Sequence, residues 1–155
     1  MQVRMKSPVM VVPDVMRSLL ALAGTVKKST IPETTLALVD LRASQINGCG
    51  RCVEMHADEL KEAGEPDERI FAVAAWHDSS RFTDAERAAL ALTEAATRMS
   101  DRTDAVPDAV WQEATRHYDE QALASLVLKI ALINFWNRVN VTTRQLPLQT
   151  RKQGG

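Results

Sequence analysis

The sequence predicts an all-α protein, and three observations lead to that prediction. Ala, Leu and Val supply most of the apolar residues, whereas aromatic residues make up only 5% of the chain, a composition that favours packed helices over a sheet. Apolar residues recur at steps of three and four, which is the spacing of one helix face. Two segments, Thr30–Glu33 and Thr83–Glu86, match the pattern of a helix capping box.

The length indicates how these helices are organised. A chain of 155 residues corresponds to about one domain, since domains average ~150 residues. We therefore expect one bundle of about six to seven helices over residues 1–146. The polar segment 147–155 ends in Gly-Gly and is predicted to be a disordered tail.

Two helices are predicted before the first glycine-rich turn. The first covers residues 13–26 and presents Leu19 and Ala23 on one side. The second begins at the Thr30–Glu33 capping box, with a proline in its first turn, and ends near Gly48.

Three further helices are predicted in the middle of the chain. One of them ends at Gly64, which suits the left-handed position after a helix. Another follows the Thr83–Glu86 capping box and carries a regular stripe of small apolar residues. The three cover Cys49–Ala63, Asp67–Trp76 and Thr83 to about Met99.

The last two helices are predicted over Pro107–Tyr118 and from Asp119 to about Arg144. The final helix is apolar on almost every side. Its two apolar faces carry Leu126, Ile130 and Ile133, and Leu128, Leu132 and Phe135. Such a helix must lie at the centre of the fold or be half-covered by another subunit, so we expect an oligomer.

Charge and hydropathy exclude several classes of partner. The net charge of -1 lacks the positive surface that binding to nucleic acid or an anionic membrane requires. The longest apolar stretch is interrupted by Lys129 and Asn134, and Pro13 and Asp14 interrupt the N-terminal apolar run. We therefore expect no nucleic-acid partner, no membrane association and a cytoplasmic location.

The segment that carries chemistry lies between Asn47 and His56. Cys49 and Cys52 are three residues apart and His56 follows four residues later, so all three share one helix face. Gly48 places Cys49 at a helix N-terminus, where unpaired amides favour a thiolate. A thiol pair of this kind can react with a peroxide and form a disulfide, and an external thiol restores it.

The spacing leaves other interpretations open. Two cysteines in an apolar helix can be small core residues. Cys49, Cys52 and His56 could also supply three zinc ligands, with His77, His117 or a carboxylate as the fourth. Covalent haem attachment is excluded because Val53, not histidine, follows Cys52.

Several motifs resemble those of one family. The run DLRASQINGCGRC over residues 40–52, followed by His56, is similar to the AhpD-like alkylhydroperoxidase branch of the carboxymuconolactone decarboxylase superfamily. Trp76, the run FTDAERAAL over 82–90 and INFWNR over 133–138 resemble the same branch. The resemblance covers residues 31–144.

The resemblance implies an all-helical fold that assembles as a homotrimer or homohexamer. It also implies reduction of hydroperoxides without haem, flavin or metal, so no cofactor is expected. Cys52 would react with the peroxide, Cys49 would resolve the product, and His56 would relay protons. The helix-terminus argument instead makes Cys49 the more acidic and exposed thiol, and we follow the family for the roles. The reductant would be a thiol or dithiol, such as a lipoylated or thioredoxin-like protein.

One position departs from the family. AhpD proteins carry a relay glutamate twelve residues before the first cysteine, and Ala37 stands there in this chain. Glu33 and Asp40 lie one turn on either side of Ala37, and either is a candidate replacement.

Two other functions remain as alternatives. The first is a general dithiol-disulfide oxidoreductase that acts on proteins. The second is a non-catalytic oligomeric protein in which the motif holds zinc or only packs. His77 and His117 are interpreted as surface histidines, and Trp111, Phe135 and Trp136 as core or interface aromatics.

Overall fold

The computed structural model describes residues 2–100 and 102–147, and it is all-helical over those residues. Eight α-helices and one short 3-10 helix, Val73–Asp78, follow one another along this part of the chain. The α-helices are α1 (Pro8–Val11), α2 (Val15–Val26), α3 (Glu33–Asn47), α4 (Gly50–Glu62), α5 (Asp67–Ala72), α6 (Asp84–Thr97), α7 (Asp108–His117) and α8 (Glu120–Thr143). The predicted all-α class is confirmed. The predicted tail falls almost entirely outside the described residues.

The helix count exceeds the predicted six to seven because α1 precedes the first predicted helix. Pro8 opens α1 at a position where the missing amide proton costs nothing. Pro13 then ends it, because a proline forces the preceding residue out of the helical region, and Val12 is extended with φ -82° and ψ 122°. The chain re-enters a helix after Asp14, which adopts a left-handed conformation with φ 65°.

The predicted helix over residues 67–76 is two elements. The α-helix α5 ends at Ala72, and a 3-10 helix continues to Asp78 with a kink at Ala75, where φ is -129° and ψ is 39°. The Arg87 guanidinium donates to the carbonyl oxygens of Trp76, His77 and Ser79, so it satisfies backbone groups that an ordinary helix end leaves unpaired.

Only one of the two predicted capping boxes forms. The Thr83 hydroxyl accepts from the Glu86 amide and the Glu86 carboxylate accepts from the Thr83 amide, as predicted. At Thr30 the prediction is wrong. Pro32 keeps Ile31 out of the helical region, so α3 starts after Pro32 and no side-chain hydrogen bond caps it among the described residues.

The helix α3 lies at the centre of the bundle, between α4, α6 and α8. Leu36 and Val39 belong to a core shared with α6, α7 and α8. Leu38 and Leu41 face a second core that includes Leu60 of α4 and residues of the 3-10 helix and α6. Because α3 is buried on both sides, it holds its polar side chains in fixed positions inside the protein.

The last helix, α8, starts directly after the predicted Asp119, which caps it, and it is covered on one face. The Asp119 carboxylate accepts from the Ala122 amide at 2.8 Å. Leu126, Ile130 and Ile133 are buried, and Leu128 and Phe135 are exposed. Among the described residues α8 is the one helix long and apolar enough to cross a membrane. Its packing against α3 and α2 is that of a core helix.

The N-terminal segment is tied to the end of α8. The Arg4 amide donates to the Thr143 carbonyl at 3.0 Å, and its side chain donates to the Thr142 carbonyl. The Gln145 side chain donates to the Met5 carbonyl. These bonds place α1 beside the carboxyl end of α8.

Candidate functional site

A tight turn at Gly48 positions the two cysteines. The helix α3 ends at Asn47, and Gly48 adopts a left-handed conformation with φ 66° and ψ 31°. The Gly48 amide donates to the Gln45 carbonyl and the Cys49 amide to the Ser44 carbonyl, which closes the end of α3. The next helix begins at once, so Cys49 is the N-cap residue of α4, as its sequence position predicts.

Cys49 and Cys52 are joined by a disulfide, with their Cα atoms 5.3 Å apart. Both residues are buried, with 2% and 1% of their surface exposed, so the expectation of an exposed Cys49 is wrong. The turn that places Cys49 at the N-cap also folds it against α3. The Asn140 amide donates to the Cys52 sulfur at 3.3 Å.

Asparagine side chains of α8 hold the turn in place through hydrogen bonds to the end of α3. The Asn47 side-chain nitrogen donates to the Oδ1 atoms of Asn134 and Asn137, each at 2.9 Å. Asn137 in turn donates to the Ser44 hydroxyl at 3.0 Å. Asn134, Asn137 and Asn140 are spaced three residues apart, so they form one polar stripe in a mainly apolar helix. That spacing was the signal in the sequence that could have identified Asn140 as a cysteine neighbour.

His56 lies one turn after Cys52 and is buried between two carboxylates. Its Nδ1 atom is 3.0 Å from Oε2 of Glu59 and 3.6 Å from Oδ2 of Asp40. Its Nε2 atom is buried and has no hydrogen-bond partner in the described part of the chain. The same Asp40 oxygen is 2.6 Å from the Nζ atom of Lys129 on α8.

The two carboxyl groups differ in their surroundings. Burial raises the pKa of Asp40, and the positive charges of His56 and Lys129 oppose that effect in part. For Glu59, whose side chain is 44% exposed, the hydrogen bond from His56 outweighs the weaker effect of burial and lowers the pKa. Lys129 and Glu59 were not identified from the sequence.

The structure distinguishes the two candidate replacements for the missing glutamate. Ala37 is buried in the second core. Asp40 reaches His56, whereas Glu33 is exposed in the first turn of α3, almost two turns away. Only Asp40 is therefore positioned to act on His56.

The potential metal ligands that come together among the described residues differ from the predicted zinc set. They are Asp40, His56 and Glu59, whose ligand atoms lie within 4.8 Å of one another. Both cysteine sulfurs are used in the disulfide. The Lys129 ammonium contacts Asp40 where a metal cation would be bound, so this cluster is a poor metal site.

A cavity of about 450 Å³ opens next to the disulfide. Cys52 and His56 are among the residues that line it, and Cys49 is not. Besides His56, its polar part is formed by Ser7, Asp40, Arg51, Lys129, Asn140 and Gln145. The rest of the wall is mainly apolar and comes from α1, α2, α4 and α8; it includes Val9, Met10, Met16, Leu20, Met55, Leu132, Ile133 and Trp136.

The other histidines and aromatics lie elsewhere. His77 stacks on Trp76 and is largely exposed, and His117 lies beside Glu113 on α7. Trp111 and Phe135 are partly exposed. Trp136 alone of these three predicted aromatics lines the cavity.

Residues 13–95, more than half of the chain, match the sequence profile of the carboxymuconolactone decarboxylase family. The chain belongs to that family. It is 35% identical over 131 residues to YdfG of Bacillus subtilis strain 168, an uncharacterized protein, and the match covers 84% of this chain and 88% of YdfG.

Solved structures place the chain in the AhpD-like branch of the family. It superimposes with a TM-score of 0.87 on ATU0492 of Agrobacterium tumefaciens, described as an antioxidant defence protein of the AhpD type and of unknown function. The identity is 30%, and the match covers 96% of this chain and all of that one. The debrominase Bmp8 shares the fold, with a TM-score of 0.75 and 22% identity over 88% of this chain and 73% of its own. The same fold therefore carries more than one chemistry.

Proposed function

We propose that this protein is a thiol-dependent peroxidase that reduces organic hydroperoxides through Cys49, Cys52 and His56. The observation that carries the proposal is the position of Cys52. It belongs to a disulfide pair and lines an apolar cavity together with a histidine whose Nε2 atom has no partner among the described residues. The AhpD-like fold supports the same reaction.

The reaction begins with the reduced pair. The Cys52 thiolate attacks the terminal oxygen of the hydroperoxide, the O–O bond breaks, and Cys52 becomes a sulfenic acid while an alkoxide leaves. His56, which lines the cavity together with Cys52, takes the thiol proton at Nε2 when the thiolate forms. The imidazolium then gives this proton to the alkoxide, which departs as an alcohol. The amide of Asn140 stabilises the Cys52 thiolate before the attack.

The second half of the reaction regenerates the thiols. Cys49 attacks the sulfenic sulfur of Cys52, water leaves, and the disulfide forms. An external dithiol then reduces the disulfide by thiol-disulfide exchange and is itself oxidised. Because both sulfurs are buried, a small or flexible dithiol such as a lipoyl group suits the site better than a rigid protein surface.

The cavity supports an organic substrate. Its lining is mainly aliphatic, methionine and tryptophan side chains, which favour an alkyl or aryl group over water. We therefore expect cumene hydroperoxide to react faster than hydrogen peroxide.

The test follows a single turnover of the reduced protein. Protein with both thiols free is mixed with cumene hydroperoxide or hydrogen peroxide, and the Cys49–Cys52 disulfide is followed by mass spectrometry. Two variants assign the roles. Cys52→Ser should not react, whereas Cys49→Ser should accumulate a sulfenic acid on Cys52 that dimedone traps.

Other outcomes identify the alternatives. Thiols that survive a large excess of both peroxides would contradict the peroxidase. Rapid reduction of protein disulfides by the same sample would then indicate general dithiol exchange. One zinc ion bound per chain, with thiols inert to alkylation, would indicate a non-catalytic metal-binding protein.

A further inference from the structure

Lys129 is unusual because it is a charged residue at a largely buried position of α8. Its side chain is 12% exposed, and it lines the cavity among apolar neighbours. A buried ammonium group is costly unless a partner compensates its charge. The partner is Asp40 of α3, whose carboxylate is 4% exposed and 2.6 Å away. The two charges therefore compensate each other in the interior, and His56 is a second positive group near Asp40.

The carboxylates determine which nitrogen of His56 carries a proton. Asp40 and Glu59 both face Nδ1, and an ionised carboxylate can only accept a hydrogen bond. The Nδ1 atom must then donate, so in the neutral imidazole the lone pair is on Nε2. That atom is buried without a partner among the residues described, and His56 lines the same cavity as Cys52.

We propose that Lys129 is a positioning residue for the reduction of hydroperoxides. It holds Asp40 as a carboxylate, and Asp40 together with Glu59 keeps the His56 proton on Nδ1, so that Nε2 exchanges protons in the cavity. This inference rests on the proposed peroxidase function. It assigns a role in the reaction to residues of α3 and α8 that lie outside the segment from Cys49 to His56.

Loss of Lys129 has a specific chemical consequence. Burial already raises the pKa of Asp40, and Lys129 is one of the charges that oppose this rise. Without the ammonium group, the pKa of Asp40 rises further and the protonated carboxyl becomes more populated. With Asp40 neutral, Glu59 alone holds the proton on Nδ1. The part of the His56 population that turns away from the half-exposed Glu59 can then carry its proton on Nε2.

The first measurement is NMR of the reduced, isotope-labelled protein at neutral pH. The carboxyl carbon of Asp40 reports its ionisation, and the imidazole nitrogens of His56 report the tautomer. In Lys129→Met we expect a protonated Asp40 and a second His56 tautomer. Lys129→Arg keeps the charge and should restore both wild-type signals. An Asp40 that stays ionised in Lys129→Met would overturn the proposal.

The second measurement is the single-turnover rate with cumene hydroperoxide. Lys129→Met should be slower by at least about tenfold, as when an orienting partner of a functional histidine is lost, and Lys129→Arg should recover the rate. The matched control is Lys61→Met, which removes a lysine from an exposed ion pair with Asp67 and should leave the rate unchanged. A Lys129→Met rate equal to wild type would overturn the proposal.

The two readouts separate the inference from the function on which it rests. If wild-type protein reacts with no hydroperoxide, the peroxidase proposal fails, and the NMR signals still decide whether Lys129 controls Asp40 and His56.

A second variant is needed if circular dichroism shows that Lys129→Met does not fold. Combining Asp40→Leu with Lys129→Met removes both buried charges. That double variant should fold and be slow, and a wild-type rate from it would contradict the positioning role.

Discussion

At the scale of single residues, Asp40 and Glu33 form a natural pair for comparison. Both are acidic residues of α3, but only Asp40 contacts His56. Asp40→Asn should slow disulfide formation by about tenfold or more, because it removes a carboxylate that orients the imidazole. Glu33→Gln should react like wild type. The rates are measured by quenching single turnovers with an alkylating agent, and equal rates for both variants would exclude Asp40 from the proton relay.

Much of the candidate site could be predicted from local spacing. Cys49, Cys52 and His56 lie within eight residues, and a helix places them on one side whatever the rest of the chain does. Lys129 could not be found in this way, and the spacing of the asparagines marks Asn140 as part of a polar stripe without showing which residue it meets. They reach the site from α8, more than 70 residues away in sequence, and only the packing of α8 on α3 brings them there.

At the scale of elements, the two threonines of the predicted capping boxes should differ in their effect on stability. Thr83→Ala removes a formed cap and should lower the free energy of unfolding by about 1 kcal/mol, within a range of roughly 0.5–2. Thr30→Ala should change it little, because Thr30 is exposed and α3 starts after Pro32. Urea denaturation of both variants checks this, and equal losses would contradict it.

Glu94 connects three elements and makes stability depend on pH. Its carboxylate on α6 accepts from Arg42 of α3 and from the Trp76 indole of the 3-10 helix. Burial alone would raise the pKa of Glu94, but these hydrogen bonds and the charges of Arg42 and Arg98 lower it overall. A lowered pKa in the folded state means that stabilisation is present above the ordinary value of 4.5 and is lost as the pH falls through the folded value.

Replacement of Glu94 tests this linkage. Glu94→Gln should lower the free energy of unfolding at neutral pH by about 1–3 kcal/mol, since hydrogen bonds to a charged group are lost. The difference from wild type should shrink as the pH falls below 4.5. Urea denaturation at a series of pH values measures it, and a difference that stays constant into acid would show that another group is responsible.

The ends of the helices were predictable where they depend on neighbouring residues in the sequence. The Thr83 cap, the left-handed Gly48 and Gly64 and the ends of α7 and α8 follow from residue types at their positions. The kink at Ala75 was not predictable, because Arg87 of α6 stabilises it from another helix. At Thr30 the local pattern misleads, because Pro32 keeps Ile31 out of the helical region and moves the start of α3.

At the scale of the whole molecule, the apolar outer face of α8 leads us to expect a partner. Val127, Leu128, Phe135 and Val141 are exposed on this helix, and a second copy of the chain is the partner that we expect. Light scattering after size exclusion should give a trimer or hexamer for wild type. Leu128→Glu should shift the distribution toward monomer.

The control for this prediction is Phe71→Glu, which places the same charge on an exposed aromatic position of α5. It should leave the oligomeric state unchanged. A monomeric wild-type protein would contradict the expected assembly, and the exposed face of α8 would then need a different partner.

The asparagines that support the cysteine turn also affect chemical ageing. Asn-Gly sequences in flexible chains deamidate, because the glycine nitrogen attacks the asparagine side-chain carbonyl and ammonia leaves. In Asn47-Gly48 that leaving nitrogen is bound by Asn134 and Asn137, and the glycine amide donates to Gln45. Stored folded protein should therefore keep Asn47 intact, and conversion to aspartate in aged samples would report how often this turn opens.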